Sequence, residues 1–104
     1  MKLNFKELHS FNGLSRKIES VEDVRELFAD AIYAAGNGVA ALELCRKIYN
    51  STGEEEYTDR EVELIKQYAA LGTPRFIDAV MNMIDNAKKQ NNEGIQEFGT
   101  AAGN

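Results

Sequence analysis

Thr58-Asp59-Arg60-Glu61 and, further on, Leu71-Gly72-Thr73-Pro74 decide the architecture, because together they spell two helices and the corner between them. Thr58 with Glu61 three residues later is a capping box: the hydroxyl takes an amide of the first turn, and the carboxylate returns to the cap amide. Behind it Val62, Leu64, Ile65, Tyr68, Ala69 and Leu71 recur at helical spacing and give a wide apolar surface. Gly72 is placed to end this helix in the left-handed conformation. Thr73 then caps the next one and Pro74 occupies its first position, where a missing N–H costs nothing. That helix carries Phe76, Ile77, Val80, Met81, Met83, Ile84 and Ala87, more than one narrow face. It is either central in its own bundle or shared with a partner, and Phe76, Val80, Met81 and Ile84 are the candidate interface.

Upstream, Ser20-Val21-Glu22-Asp23 opens another helix, with Ser20 as cap and acidic residues in the first turn, where the helix dipole favours them. Val24, Leu27, Phe28, Ala31, Ile32 and Ala35 form its apolar face. Gly36-Asn37-Gly38 interrupts the pattern. The spacing predicts a break, with Asn37 capping a second helix that turns Ala41, Leu44, Cys45 and Ile48 inward; one kinked helix from Val21 to Asn50 is the alternative. Ser51-Thr52-Gly53 ends this segment, and Glu54-Glu55-Glu56 is expected in a loop.

Residues 2–18 read differently. Leu3 and Phe5 alternate with Lys2, Asn4 and Lys6, the period of a half-buried strand. Asn12-Gly13 is a preferred tight-turn dipeptide. The expectation is a short β-hairpin with Phe11 and Leu14 beside the turn, packed on helices or on another chain, since two strands alone are marginal in water. Asn91 to Asn104 is polar and Gly-rich and is expected to be a mobile tail. The fold class expected is mainly α (α+β): one four-helix bundle-like domain over residues 1–90 with a hairpin at 2–18, followed by the tail at 91–104.

Composition narrows function by exclusion. At 104 residues, 43% hydrophobic and 28% charged, the chain has the makeup of one ordinary globular domain. No apolar run approaches the roughly 20 residues needed to span a bilayer, and the start lacks the apolar block of a secretory signal. A cytoplasmic setting follows as the expectation, and the single cysteine, Cys45, agrees with a reducing compartment. A net charge of −5 argues against sequence-independent nucleic-acid binding, which needs clustered cations. No membrane partner is expected.

No motif carries chemistry decisively. Gly36-Asn37-Gly38-Val39-Ala40-Ala41 has the wording of a dinucleotide fingerprint, but that fingerprint works after a β-strand, and the residues before it are helical in pattern. It reads as an interhelical corner whose free amides could hold a phosphate, with Tyr49 for base stacking and Arg46 or Lys47 for phosphate. His9, the only histidine, reads as a surface residue. Cys45 reads as a buried structural thiol. Glu54, Glu55, Glu56, Asp59, Glu61 and Glu63 lack calcium-loop spacing and read as a solvated face. No catalytic residue, metal site or cofactor is expected.

In order, an N-terminal Leu3-Asn4-Phe5 segment, a turn near Asn12-Gly13, the stretch Asp23-Val24-Arg25-Glu26-Leu27-Phe28-Ala29-Asp30-Ala31-Ile32, Leu44, Lys47-Ile48-Tyr49-Asn50-Ser51, Tyr57-Thr58-Asp59-Arg60-Glu61, Leu64-Ile65-Lys66 and Pro74 resemble small uncharacterised accessory proteins of tailed phages and prophages. The resemblance spans roughly residues 3–85 and lends no catalytic residues. It implies a phage setting inside a host cell and a size class that works by binding. The expectation is therefore a non-enzymatic, self-associating binding or assembly protein with a phage or host protein as partner. The alternative is an anti-defence protein that inhibits a host enzyme or sequesters a nucleotide signal through Gly36, Asn37, Gly38, Arg46 and Tyr49.

Overall fold

Four helices and four short strands share one hydrophobic core in this computed structural model, which describes the backbone through Gly103 and side chains through Gln90. The elements in order are β1 (Lys2–Leu3), β2 (Leu8–Phe11), β3 (Glu19–Glu22), α1 (Arg25–Ala35), α2 (Gly38–Asn50), β4 (Glu55–Glu56), α3 (Asp59–Ala69) and α4 (Pro74–Gly103). The strands make two separate antiparallel pairs, β1 with β4 and β2 with β3. α1 packs against α2 as a helical hairpin, α3 touches α1 and α4, and α4 runs beneath β2 and β1. The tail expected over 91–104 lies outside the residues with described side chains.

The capping box forms as read: the Glu61 amide donates to Thr58 Oγ1 at 3.1 Å and the Thr58 amide to Glu61 Oε1 at 2.8 Å. Glu61 also receives Lys47 Nζ at 3.0 Å, which ties α2 to the start of α3. Burial raises the Glu61 carboxyl, but the Thr58 amide and Lys47 together outweigh it and leave it below its ordinary value. Thr73 caps α4 through the Phe76 amide at 3.2 Å. Gly72 corrects the expectation of a left-handed stop, because among the described glycines only Gly38 has a positive φ. Its smallness serves packing instead: an added Cβ would stand 3.2 Å from the Phe76 ring.

The break at Gly36-Asn37 is real, and α1 and α2 are two helices, with both corner residues extended. Asn37 stands at the cap position without a side-chain hydrogen bond. Gly36 is needed sterically: a Cβ there would lie 2.7 Å from the Ile32 carbonyl and 2.8 Å from Ala41 Cβ. α2 buries Ala41, Leu44, Cys45 and Ile48, the face that periodicity predicted.

The N-terminal region needs the largest correction. Leu3 and Phe5 are buried, as alternation required, but β1 pairs with β4, placing Lys2 opposite Glu56 and Leu3 opposite Glu55. The acidic run expected in a loop thus supplies a strand. Asn4 ends β1 by accepting the Lys6 and Glu7 amides at 3.0 and 3.2 Å, an Asx turn that reverses the chain. The hairpin is β2–β3, with Phe11 opposite Glu19 and Ser10 opposite Ser20, so Ser20 lies in a strand instead of capping a helix. Its connection runs from residue 12 to 18, closed by the Asn12 amide on the Ile18 carbonyl at 2.9 Å. The left-handed residue in that loop is Arg16, at φ 55°, and the tight Asn12-Gly13 turn does not form.

Candidate functional site

Only half of the apolar face predicted for α1 and its cap lies in the core. Val24, Phe28 and Ile32 are buried, as is Ala29, which the pattern did not include, whereas Leu27, Ala31 and Ala35 stay exposed. These three line one wall of a groove of about 380 Å³. The facing wall is the α3–α4 corner, with Tyr68, Leu71, Gly72, Thr73, Arg75 and Phe76; Leu8, Ser10 and Glu22 of the β2–β3 hairpin close one end. Leu27 is 64% exposed and Leu71 70%. Scattered exposed leucines are ordinary, whereas these two line a single trough. The edge-on pair of Phe28 and Phe76, 5.1 Å between ring centres, braces it from α1 to α4.

The polar content of the groove is sparse. Ser10 is 5% exposed and its hydroxyl has no hydrogen-bond partner. Glu22 and Arg75 bring opposite charges to the rim. Mostly apolar walls with a few polar groups, at this volume, are the usual composition of a binding cleft.

The other face of the hairpin meets α4 across a polar cleft of about 560 Å³. His9 Nδ1 lies 2.9 Å from Glu19 Oε2, and Arg16 donates to Asp78 at 2.8 Å. His9 and Glu19 are diagonal neighbours across the β2–β3 ladder. Both are about half exposed, so solvent screens the contact. Among the described residues, no group of three or more His, Cys, Asp or Glu side chains is placed to hold a metal ion. No described helix is long and apolar enough to cross a membrane.

The residues singled out from sequence fall in different places. Of the candidate interface on α4, Val80 and Ile84 are 0% exposed; they are core residues of this chain and have no surface to offer a partner. Phe76 and Met81 are only partly covered, and Phe76 faces the groove. The candidate ligand set does not converge. Arg46 and Tyr49 border a recess of about 170 Å³ together with Tyr33. Gly36, Asn37 and Gly38 lie at the opposite end of α2, with Gly38 eight residues from Arg46, roughly 12 Å along the helix. Lys47 is engaged with Glu61 and lies 4.8 Å over the Tyr57 ring. Cys45 is buried, its thiol on the Leu42 carbonyl at 3.2 Å.

Periodicity missed the groove because it named Leu27, Ala31 and Ala35 correctly as apolar and assigned them to the core. A periodic stripe shows that these positions share a face, not which of them a neighbouring element will cover. No protein family, curated protein or solved structure matches this chain.

Proposed function

We propose that this is a non-enzymatic binding protein whose working surface is the groove between α1 and the α3–α4 corner, and that it self-associates through that surface. The single observation carrying this reading is the continuous exposed strip of Leu27, Ala31, Ala35 and Leu71 along a trough with few polar groups. Leaving such a strip in water forgoes about 1.5–3 kcal/mol for each large side chain that a partner would cover. The resemblance to phage accessory proteins supports a phage setting, in which a small domain of this kind acts by occupying another protein. The surplus apolar surface lies on α1 and at the corner, in place of the α4 face suggested by periodicity.

Light scattering coupled to size exclusion, over a range of protein concentrations, tests the reading. The native chain associates, and Leu27→Glu combined with Leu71→Glu is monomeric with an unchanged melting temperature, since both side chains already face solvent. A native chain that stays monomeric at several hundred micromolar, or a double variant that associates like the native chain, overturns it.

A further inference from the structure

The outer face of the α1–α2 hairpin is separate from the groove, and the two share no lining residue. Tyr33 is 74% exposed there and Tyr49 55%. Asp30 and Arg46 are exposed as well, and neither has an ion pair among the described residues. All four line a shallow recess of about 170 Å³. Tyrosine and arginine are enriched where proteins bind one another, because each covers apolar area while keeping a polar end.

The order of these side chains along the helices points to the occupant. α1 and α2 run antiparallel: Gly36 and Asn37 join their near ends, and the Arg25 guanidinium at the start of α1 donates to the Ser51 carbonyl at the end of α2. Tyr33 stands three residues before Gly36 and Asp30 six; Arg46 stands nine residues after Asn37 and Tyr49 twelve. Each helix thus carries its pair at a spacing of three, on one side of the helix. With the same rise per residue in both helices, the midpoint between the tyrosines and the midpoint between Asp30 and Arg46 fall at the same height on the hairpin. A half-turn about the normal to the face through that point exchanges the tyrosines and puts each carboxylate over a guanidinium. An isologous contact between identical chains requires this self-complementarity, and it brings opposite charges together where like charges would repel.

We infer that this face packs against the same face of a second copy, Tyr33 against the partner's Tyr49 and Asp30 against the partner's Arg46. One such face does not dimerise by itself. An aromatic pair and an exposed ion pair each contribute modestly, less than association costs. The contact forms between pairs already linked through the groove, where two faces close together and the second closure is intramolecular. The inference rests on the groove reading and extends it from two chains to a closed set of four.

Light scattering with size exclusion over a range of concentrations reads the arrangement. The native chain is expected to reach four copies. Arg46→Asp leaves only acids on the face and Asp30→Arg only bases, so each alone is expected to stop at two copies, with the step from two to four weakened at least tenfold. Mixed in equal amounts, these two variants are expected to regain four copies, since an acidic face then meets a basic one. Asp30→Arg with Arg46→Asp in one chain restores the opposite-charge order and is expected to regain four copies unaided. Both positions are exposed, so circular dichroism and melting temperature of every variant are expected to match the native chain. A native chain that stops at two copies, single variants that reach four unaided, or a mixture that stays at two refutes the face contact and leaves self-association through the groove standing. If the native chain is monomeric, both proposals fall.

Discussion

The Phe28 ring meets the Phe76 ring edge-on at 5.1 Å, joining the middle of α1 to the first turn of α4 directly beside the groove. Phe28 also packs at a tilt against Phe5 at 5.3 Å, and Phe5 meets Tyr57 edge-on at 5.9 Å. One aromatic chain thus links the N-terminal segment, α1, α4 and the connection between β4 and α3. Phe28→Ala is expected to cost about 3–5 kcal/mol, the usual range for a fully buried phenylalanine. Phe76→Ala is expected to cost less because that ring is partly exposed. Urea unfolding of the two variants measures the order.

The three glycines Gly36, Gly38 and Gly53 separate steric need from conformational need. Gly36→Ala drives a Cβ to 2.7 Å from a backbone carbonyl, a clash that flexible side chains cannot relieve, and is expected to cost about 1–3 kcal/mol. Gly38→Ala meets no atom within 4 Å but keeps φ at +85°, for a cost of roughly 1–2 kcal/mol. Gly53→Ala has neither problem and is expected to be close to neutral. Thermal melts of the three are sufficient.

Among the described residues two buried hydroxyls lack a hydrogen-bond partner, Ser10 Oγ and Tyr57 Oη. Burial, with Glu55 nearby, pushes the Tyr57 phenol above its ordinary range; the adjacent Ser51 eases this only slightly, since its own proton goes to the Ile48 carbonyl at 2.7 Å. Removing an orphan donor relieves its desolvation cost of about 1–3 kcal/mol. Tyr57→Phe is therefore expected to be neutral or stabilising in urea, whereas Tyr57→Ala, which opens a cavity, is expected to be strongly destabilising.

Asp23 is the group whose titration reports the start of α1. Hydrogen bonds from the Arg25 guanidinium, then from the Arg25 amide, hold its carboxyl down from 3.8 to about 2. A depressed carboxylate stabilises the fold fully above its unfolded value and loses that contribution as pH falls through the folded one. The relevant window is therefore from about 3.8 down to about 2. An NMR titration should place the Asp23 midpoint near the lower value, and Arg25→Gln should move it back toward 3.8. An unchanged midpoint in that variant would show that the guanidinium is not the cause.

Thr58→Ala removes one half of the capping box and is expected to cost about 1 kcal/mol. Thr58→Ser keeps the hydroxyl and should recover most of it. Melting temperatures compared at neutral pH measure both.

The break between α1 and α2, the α3 cap, the Thr73-Pro74 start and the inward face of α2 were legible because each depends on residues within one or two turns. Alternation likewise placed Leu3 and Phe5 inside without knowing their neighbours. The pairing of Lys2–Leu3 with Glu55–Glu56 joins segments more than 50 residues apart, and no local pattern in two glutamates announces a strand. The hairpin register slipped from Asn12-Gly13 to a longer loop because the Arg16–Asp78 bond and the Arg16–Phe11 contact, formed only against α4 and β2, stabilise a conformation that local preference disfavours. The groove has the same origin. Sequence alone determined that α1 carries an apolar face; the tertiary structure decided which side of it lost its cover, because an apolar face is buried only where neighbouring elements reach it.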